Sequence, residues 1–545
     1  MTGEASSVTG EASCVTGRLS RPVGQLARHT GPAAHAPGGV SHDTGGVSRV
    51  IGGASRVTGN LARVTSGASR IMGGVSRVTG GVVRAAFFRH RGGWFLRLSL
   101  VMKRQGRGTI YFCLTLIISL LVAGCGNQRA ARTTVAPATA LPPVARTLPP
   151  LPARPLSPKL QAMRERAMHV AAGLRELSWT GEVGMSELSG WEYGTRASEM
   201  AQALGGEELR GLSRLSVAGG MLPEGTDLAL LAAQFAAISA GATYSPLDKQ
   251  VLLVDKFKDD SLLTHEFVHA LQDQHFDLMK LLLAPPYNFD QSEALFAVIE
   301  GDAMNVQRRS EEGDAYTRKP LEEISRQEDE RFSGYRAQMN TLFPRLLTET
   351  FIFRYRDGAR FVESVRRSRG ERGVDELFTR PPASSEQILH PEKYVQNELP
   401  RAIRLDETAF TASGWQSVAS TPLGEIGVRG LLLEGVAEKD AVRAAAGWAG
   451  DRAYLFEREG GTPLFVWKTS WDKPSDADEF FNAYNALQHR PGGGAQAGEK
   501  LSADEMLWRK AGRVTLLQRD GDSVVIIRGA EQDVNTALAL ATKRQ

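Results

Sequence analysis

The chain has 545 residues, of which 42% are hydrophobic and 23% charged, so it is long enough to form more than one folded domain. Its formal net charge is +4, but twelve arginines against three acidic residues give residues 1–101 a charge of +9, and 4 − 9 leaves −5 for residues 102–545. The basic balance therefore belongs to residues 1–101, and it gives no ground for predicting a nucleic-acid partner.

Residues 1–101 repeat variations of a seven-residue theme close to ASRVTGG. A period of seven is also found in coiled coils, but those need apolar positions on helix formers, and this segment consists largely of Gly, Ser, Thr and Val. Arg, His, Cys and Ser, which alternate at the repeated position, are connected by single-base changes of one arginine codon. We interpret the segment as a decayed tandem repeat in DNA and expect translation to start at Met102.

Residues 102–124 predict a secretion signal, because three basic residues precede an apolar run from Ile110 to Val122. The run is shorter than the roughly 20 residues that a membrane span needs. The ending LVAGC resembles the lipobox of bacterial lipoproteins, which implies cleavage before Cys125 and a lipid on that residue. The following Gly126 resembles lipoproteins of the outer membrane, so we expect a lipid anchor there and a protein facing the periplasm or the exterior.

The mature chain is predicted to consist of three parts. Residues 125–158 are dominated by Ala, Pro, Arg and Thr, which favours an extended tether. Residues 159–420 are predicted as a mostly helical domain with a small edge hairpin, and residues 421–545 as a C-terminal α+β module. The fold class that we expect is therefore α+β.

The predicted elements of the 159–420 domain alternate between helical and strand periodicity. In chain order they are an amphipathic helix over 158–177, a buried helix over 227–241, a hairpin over 241–255, a helix from the 259–261 cluster to about Leu283, a helix over 293–309, and charged helices to about Arg369. In the module, four strands are predicted at GDRAYLFERE, TPLFVWKTSW, GRVTLLQRDG and SVVIIRG, with helices at ADEFFNAYNALQ and DVNTALALATKR and a flexible loop from Pro491.

The stretch HEFVHALQDQH, residues 265–275, contains an HExxH metal-binding motif. His265 and His269 are one helical turn apart, so both imidazoles project from one face about 6 Å apart along the axis and can share a zinc ion. In an HExxH motif the glutamate, here Glu266, is not a ligand but takes a proton from the zinc-bound water. The sequence therefore predicts a Zn²⁺ site with Glu266 as its catalytic base.

The third ligand could come from His275 or from a later acidic residue. His275 occupies the third histidine position of HExxHxxGxxH, but the glycine of that motif is replaced by Gln272, a good helix former. In an unbroken helix His275 would lie about 9 Å beyond His269 and about 120° around the axis. We therefore expect His275 to be a packing or supporting residue.

Glu300 is the preferred third ligand, because a carboxylate in the apolar stripe ALFAVIEGDAM needs a compensating cation. Glu293, on the same helix face, is the rival. We expect Gly301 to let the Glu300 helix and the HExxH helix approach closely. Asp302 and Asp273 are both candidates to accept a hydrogen bond from a ligand histidine, and the sequence does not rank them.

These segments resemble the zincin metallopeptidases, on the gluzincin side, where a glutamate completes the site. A group of bacterial secreted proteins and lipoproteins is similar over about residues 230–460, at YSPLDKQVLLVD, HEFVHALQDQHFDL, EGDA, PPASSEQILHPEKY, LGEIGVRGLL and GWAGDRAYLF. The resemblance implies that His265, His269 and Glu300 are ligands and Glu266 is the base. The chain departs from the thermolysin-type glutamate motif, which has an aspartate four residues after the ligand, because Met304 stands there.

The resemblance also implies a mechanism in which a peptide adds to the exposed edge strand that precedes the metal helix, here expected at the hairpin around Val251–Val254. The oxyanion that forms needs a further hydrogen-bond donor. His390 is our first candidate for this catalytic role, and SEQILHPEKY around it could also be a helix end fixed by Pro391. The other candidates are Tyr394, Tyr244 and Arg452, of which Arg452 could also form an ordinary ion pair with Asp451.

Two functions are expected from these observations. The first is a lipid-anchored zinc metallopeptidase that hydrolyses peptide or protein substrates at the cell envelope. The alternative is a non-catalytic envelope binding or assembly lipoprotein with a structural zinc site. An intact Glu266 favours the first, because a structural site has no need of a base and usually has four protein ligands. The sequence does not indicate the oligomeric state.

Overall fold

The computed structural model describes residues 149–239, 241–254, 257–284, 287–489 and 498–542, and the backbone of three earlier strands. These strands, β1 (Val82–His90), β2 (Gly93–Val101) and β3 (Thr115–Leu120), form an antiparallel sheet in that order. They were not predicted from the sequence, and β3 falls in the apolar run of the predicted signal. Cys125 and most of the predicted tether lie outside the described residues.

The chain divides into two compact units, Met1–Thr133 and Thr134–Gln545. The second unit begins with helix α1 (Pro158–Arg175), capped by the Ser157 hydroxyl and started by a proline, as helix N-termini favour. Strand β4 (Gly184–Leu188) follows, then α2 (Gly190–Ala218) and α3 (Leu228–Ser239). Leu230 in α3 is 54% exposed, so the helix that was predicted to be buried has at least one large apolar side chain in contact with solvent.

The predicted hairpin is present as β5 (Ala242–Ser245) and β6 (Gln250–Val254). Strand β4, which the sequence analysis does not predict, pairs with β6 in parallel, so the sheet order is β4-β6-β5. The expected exposed edge lies in this hairpin, but not on β6, the strand that precedes the metal helix, because β6 has a neighbour on each side. The edge strand next to the metal helix is β5.

Helix α4 (Asp260–Phe276) carries the HEFVH motif and begins where predicted, with the Asp259 carboxylate accepting hydrogen bonds from two backbone N–H groups. It ends at Phe276 rather than near Leu283. Asp277 adopts the left-handed conformation, with φ of 54°, and a separate short helix α5 (Leu278–Leu282) follows. The helix is unbroken at Gln272.

Four more helices complete this part of the fold: α6 (Phe289–Glu312), α7 (Asp314–Thr317), α8 (Leu321–Leu342) and α9 (Arg345–Thr379). Helix α9 is interrupted at Gly370, which has φ of 69° and ψ of −170°. One core is formed by α1, the small sheet, α4 and the second half of α6. This core fixes α4 and α6 side by side.

Gly301 lies at a helix crossing, but not at the predicted one. A Cβ on Gly301 would lie 2.3 Å from the carbonyl carbon of Gly358 in α9, and a Cβ on Gly358 would lie 2.2 Å from the Ala297 oxygen. The two glycines therefore allow α6 and α9 to touch through their backbones. The expectation that Gly301 brings α6 close to the HExxH helix is wrong.

Short helices α10 (Ser385–Leu389), α11 (Pro391–Val395) and α12 (Glu407–Ala412) lead to the C-terminal sheet. Its remaining elements are, in chain order, β7 (Gln416–Thr421), α13 (Gly424–Leu432), α14 (Glu438–Ala445), β8 (Trp448–Glu457), β9 (Leu464–Trp471), α15 (Pro474–Gln488), β10 (Glu499–Ser502), β11 (Glu505–Lys510), β12 (Arg513–Asp520), β13 (Ser523–Gly529) and α16 (Glu531–Ala541).

The C-terminal sheet is antiparallel and has the order β10-β11-β12-β13-β9-β8-β7. All four predicted strands are present, and β7, β10 and β11 are additional. Strand β7 begins before the boundary that was predicted at residue 421. The loop over 491–497 lies outside the described residues. Helices α2, α13, α14 and α15 cover one face of the sheet, and α12 and α16 cover the other. The fold is α+β, as expected.

No helix in the described part of the chain combines the length and the apolar character needed to cross a membrane.

Candidate metal centre

Helix α4 presents its two motif histidines on one buried face. The Nε2 atoms of His265 and His269 lie 3.1 Å apart, and the residues are 3% and 8% exposed. Leu263, Phe267, Val268 and Ala270 of the same helix are fully buried in the core, which holds α4 in this rotation. The motif spacing therefore converges two ring nitrogens on one point, as predicted.

Glu300 completes the cluster from α6. Its Oε2 lies 3.3 Å from Nε2 of His265 and 3.4 Å from Nε2 of His269. A tetrahedral zinc ion with bonds of about 2.0–2.1 Å would separate its ligand atoms by about 3.3 Å. The three distances match this spacing, so the residues fit a small divalent cation that is bound between them.

The charges around this cluster favour a cation. Burial would raise the pKa of the Glu300 carboxyl, but the two imidazoles outweigh burial and hold it well below its usual value. Burial would lower the pKa of His269, yet the Glu300 carboxylate raises it to about 9. The Glu300 carboxyl is thus ionised, and the surroundings of His269 favour a positive charge, which a bound metal ion would supply instead.

Glu266 lies beside the histidines and is 5% exposed. Burial raises its pKa, while His265 and His269 act in the opposite direction. One of its oxygens accepts a hydrogen bond of 2.6 Å from the backbone N–H of Tyr244 in the edge strand β5. This contact places the predicted base directly at the edge where a further strand could add.

His269 is hydrogen-bonded to Gln272, which was predicted from the sequence only as a helix former. Its Nδ1 donates to the Gln272 side-chain oxygen at 2.9 Å, and the Gln272 amide nitrogen donates to Asp302 at 2.9 Å. Asp302, one of the two candidates for this support, thus acts through Gln272. Asp273, the other, accepts instead from the Tyr244 hydroxyl and from Lys249, both at 2.6 Å.

Asp302 belongs to a buried ionic cluster around Arg175, the last residue of α1. The guanidinium is 0% exposed and donates to Asp302 at 2.9 Å, to Glu371 at 2.9 Å and to Asp375 at 2.7 Å. Glu371 and Asp375 follow the break at Gly370. We call Arg175 and these three acids the Arg175 cluster; it ties α1, α6 and the end of α9 together.

His265 has a different environment. Its Nδ1 is buried and has no hydrogen-bond partner among the described residues. Its ring stacks on Tyr355 of α9, with ring centres 6.2 Å apart and planes at 16°. Burial and the Glu300 carboxylate, to which its hydroxyl is hydrogen-bonded, raise the pKa of Tyr355 well above its usual value. Tyr355 therefore keeps its proton and can donate it in a hydrogen bond at the site.

Tyr355 was not predicted from the sequence as a site residue. It lies in the charged stretch RYRDGAR, where nothing local distinguishes it from a surface aromatic residue. It reaches the site because the crossing of Gly301 with Gly358 brings α9 against α6.

The rival ligand Glu293 is not part of the cluster. Both of its oxygens accept from the Arg354 guanidinium at 2.7 Å, and Arg354 also packs on the Phe296 ring at 4.3 Å. His275 is likewise apart, as expected, because its ring bonds to the Ser178 carbonyl at 2.8 Å. Within the described residues, neither competes with Glu300.

A second group of acids, Glu386, Glu398 and Asp472, has the spacing of a metal site. The ammonium of Lys393 lies among them at 2.7, 2.8 and 2.8 Å. This group is therefore an ion-pair cluster that already holds its cation.

His390, the predicted catalytic donor, ends α10 and precedes Pro391 at the start of α11, so the interpretation of this segment as a helix end is confirmed. Its Nε2 lies 3.0 Å from the Glu425 carboxylate, and this hydrogen bond raises the pKa of His390. The described contacts of His390 include none with His265 or Glu300. Its catalytic role stays a prediction.

The other candidate donors have partners elsewhere. The Tyr394 hydroxyl donates to the Arg380 carbonyl at 3.1 Å, and Arg452 donates to the Ser420 hydroxyl at 3.1 Å. The alternative that Arg452 pairs with Asp451 is wrong. Asp451 is buried and accepts instead from two backbone N–H groups and two tryptophan N–H groups.

A family model described as a domain of unknown function, DUF8575, matches residues 407–539. No curated protein and no solved structure matches the chain. The matched residues run from α12 into α16 and do not include the histidine–glutamate cluster. The interpretation of that cluster therefore depends on its own geometry.

Proposed function

We propose that the protein is a zinc-dependent metallopeptidase of the zincin type, with His265, His269 and Glu300 as zinc ligands and Glu266 as the catalytic base. The observation that carries this proposal is the separation of the three ligand atoms by 3.1, 3.3 and 3.4 Å. Three protein ligands leave a fourth position for water or substrate, which is typical of catalytic rather than structural zinc.

The zinc ion would acidify a water molecule and polarise the substrate carbonyl. Glu266, which burial disposes to hold a proton, takes the proton from the attacking water and can pass it to the leaving amine. The substrate lies along β5 as an added strand, so that its scissile carbonyl faces the site. The Tyr355 hydroxyl, which is hydrogen-bonded to Glu300, would turn from that carboxylate to donate its hydrogen bond to the oxyanion.

The carboxylate of Glu266 accepts the Tyr244 N–H, so the base is already fixed against the edge strand. A peptide that pairs with β5 would therefore be aligned to the base by the same strand. This arrangement supports hydrolysis of an extended peptide over hydrolysis of a small isolated amide.

The test is zinc analysis of the purified protein together with hydrolysis of a peptide library by the wild type and by Glu266→Gln. We expect about one equivalent of zinc in both proteins, and in the variant a loss of turnover of roughly a thousandfold, within the range typical of a lost general base. If both proteins hold zinc and neither cleaves any peptide, the non-catalytic alternative, an envelope binding or assembly lipoprotein, replaces the proposal.

We also propose that a lipid on Cys125 anchors the protein to the cell envelope, with the folded unit in the periplasm or outside. The support is the signal-like segment that ends in LVAGC. A mass measurement of the N-terminal peptide from the membrane fraction tests this. An unmodified N-terminus upstream of Met102 would contradict it.

A further inference from the structure

The side chain of Gln272 has one possible orientation. It is 0% exposed, and its amide nitrogen faces two groups that can only accept, the Ile299 carbonyl at 3.0 Å and the Asp302 carboxylate at 2.9 Å. Exchanging the amide oxygen and nitrogen would place an oxygen against both acceptors. The Gln272 oxygen must therefore be the atom that faces His269.

This orientation determines the protonation of His269. An amide oxygen only accepts, so the Nδ1 atom of His269, 2.9 Å away, must carry a proton. In the neutral imidazole, Nε2 then carries the lone pair, and Nε2 is the atom directed at Glu300 and His265. The ring is thus held in the one tautomer that can bind a metal ion at this point.

The orientation of Gln272 is fixed by residues that do not contact His269. Asp302 would repel the Gln272 oxygen if the amide turned, and Asp302 is itself held by the buried Arg175 guanidinium at 2.9 Å. Arg175 is fixed in turn by Glu371 and Asp375. The contacts form a continuous path from the Arg175 cluster through Gln272 to His269.

We propose that Gln272 is a positioning residue that, locked by Asp302 and the Arg175 cluster, sets the tautomer and the ring orientation of His269 for metal binding. The inference rests on the proposed function, since it assigns a task to Gln272 only if His269 is a ligand. Gln272 itself touches neither the metal position nor a substrate.

The experiment measures zinc affinity by competition with a chelator, and the absorption spectrum of the cobalt-substituted protein. Gln272→Leu keeps a buried side chain but removes the acceptor, and we expect zinc affinity to fall by about 10- to 100-fold, as is typical for partners of ligand histidines, with an altered cobalt spectrum. Gln307→Leu is the matched control. Gln307 is also a buried glutamine between α6 and α4, bonded to Ser261, and has no histidine partner.

A rescue variant separates positioning from a merely structural role. In Gln272→Glu alone, two carboxylates would face each other, and we expect weak zinc binding. In the double variant Gln272→Glu/Asp302→Asn, the new carboxylate at position 272 can accept from His269. The new amide at position 302 can donate to that carboxylate and still accept from Arg175. The Ile299 carbonyl, 3.0 Å from the Gln272 nitrogen in the wild type, still faces an oxygen in this double variant, so the recovery is partial. We expect the double variant to bind zinc about tenfold more tightly than Gln272→Glu alone and to move its cobalt spectrum toward that of the wild type.

Three outcomes would overturn the inference. Gln272→Leu could bind zinc as tightly as Gln307→Leu, or the folded double variant could bind no better than Gln272→Glu alone. The double variant decides the matter even where Gln272→Leu does not fold. If the wild type itself binds no zinc, the proposed function fails, and this inference fails with it.

Discussion

Asp290 and Glu300 both lie on helix α6, and the groups that surround their carboxyls differ. Glu300 faces two imidazoles, which outweigh burial and lower the pKa of its carboxyl. Asp290 is 1% exposed and accepts from the backbone N–H and the hydroxyl of Ser385, but burial dominates and raises its pKa to about 8. Neutral hydrogen-bond donors alone therefore do not keep a carboxylate ionised here, whereas cationic partners do.

Asp451, close to Asp290, supports this conclusion. It accepts from the backbone N–H groups of Leu423 and Gly424 and from two indole N–H groups, yet burial still raises its pKa. Its negative charge also raises the pKa of Asp290. The surroundings of Asp290, at the start of α6, thus favour a protonated carboxyl. Those of Glu300, in the middle of α6, favour an ionised carboxylate beside a cation.

The largest effect that we expect is the loss of zinc affinity when the Glu300 carboxylate is removed. We expect Glu300→Gln to weaken zinc binding at least about a hundredfold, since replacing a ligand should cost no less than replacing a ligand's supporting residue. Asp290→Asn, on the same helix, is the matched control and should bind zinc as the wild type does. Chelator competition measures both. Equal affinities for the wild type and Glu300→Gln would remove Glu300 from the metal centre.

A second substitution tests the close crossing of α6 and α9, which fixes the position of Glu300. A Cβ on Gly301 would meet the Gly358 backbone at 2.3 Å, so Gly301→Ala must push α6 and α9 apart. We expect the free energy of unfolding to fall by about 2–3 kcal/mol, as for overpacked cores. Denaturant titration measures it.

Gly334→Ala in α8 is the control for that experiment, because its Cβ would meet nothing within 4 Å. There we expect a gain of about 0.5–1 kcal/mol from the better helix propensity of alanine. If Gly301→Ala is as stable as Gly334→Ala, the close backbone crossing does not exist in solution.

The smallest effect concerns the neutral acid. The folded-state pKa of Asp290 is about 8, above its ordinary value of 3.8, so its stabilising contribution is complete below pH 3.8 and is lost as pH rises through about 8. Asp290→Asn lacks this loss. Between pH 5 and pH 9 the stability of the variant relative to the wild type should therefore rise by at least about 1 kcal/mol, the equivalent of one pKa unit.

Unfolding curves of both proteins at the two pH values measure the difference. Burial also raises the pKa values of Glu386 and Asp451, so the stability of the wild type depends on pH through these groups too. Only the difference in stability between wild type and variant therefore reports on Asp290. A constant difference from pH 5 to pH 9 would mean that Asp290 is ionised in the folded protein throughout.

The metal helix was predictable because its signals are local. The Asp259 cap, the spacing of His265 and His269, and the helix former at Gln272 all lie within α4 or directly before it. Glu300 was predictable because its carboxyl lies in an apolar stripe of α6. The end of α4 was predicted too late, since the left-handed turn at Asp277 leaves no strong mark in the sequence.

What could not be predicted depends on contacts between distant segments. Strand β4 pairs in parallel with β6 across the whole of α2 and α3, and this pairing makes β5 the edge strand. Tyr355 reaches the site only through the crossing of α6 and α9. The role of Gln272 depends on the position of Asp302 in three dimensions. Periodicity within one segment contains none of this information.

The location of Arg175 at the very end of α1 has a practical consequence. A shortened protein that starts after residue 176 would keep every proposed catalytic group. It would, however, leave Asp302 and Asp375 without the Arg175 guanidinium, and Glu371 with that of Arg309 alone. Such a fragment should express poorly or lose its zinc, and its inactivity would say nothing about the chemistry. Recombinant work on this enzyme candidate should therefore retain the chain from Ser157 onward.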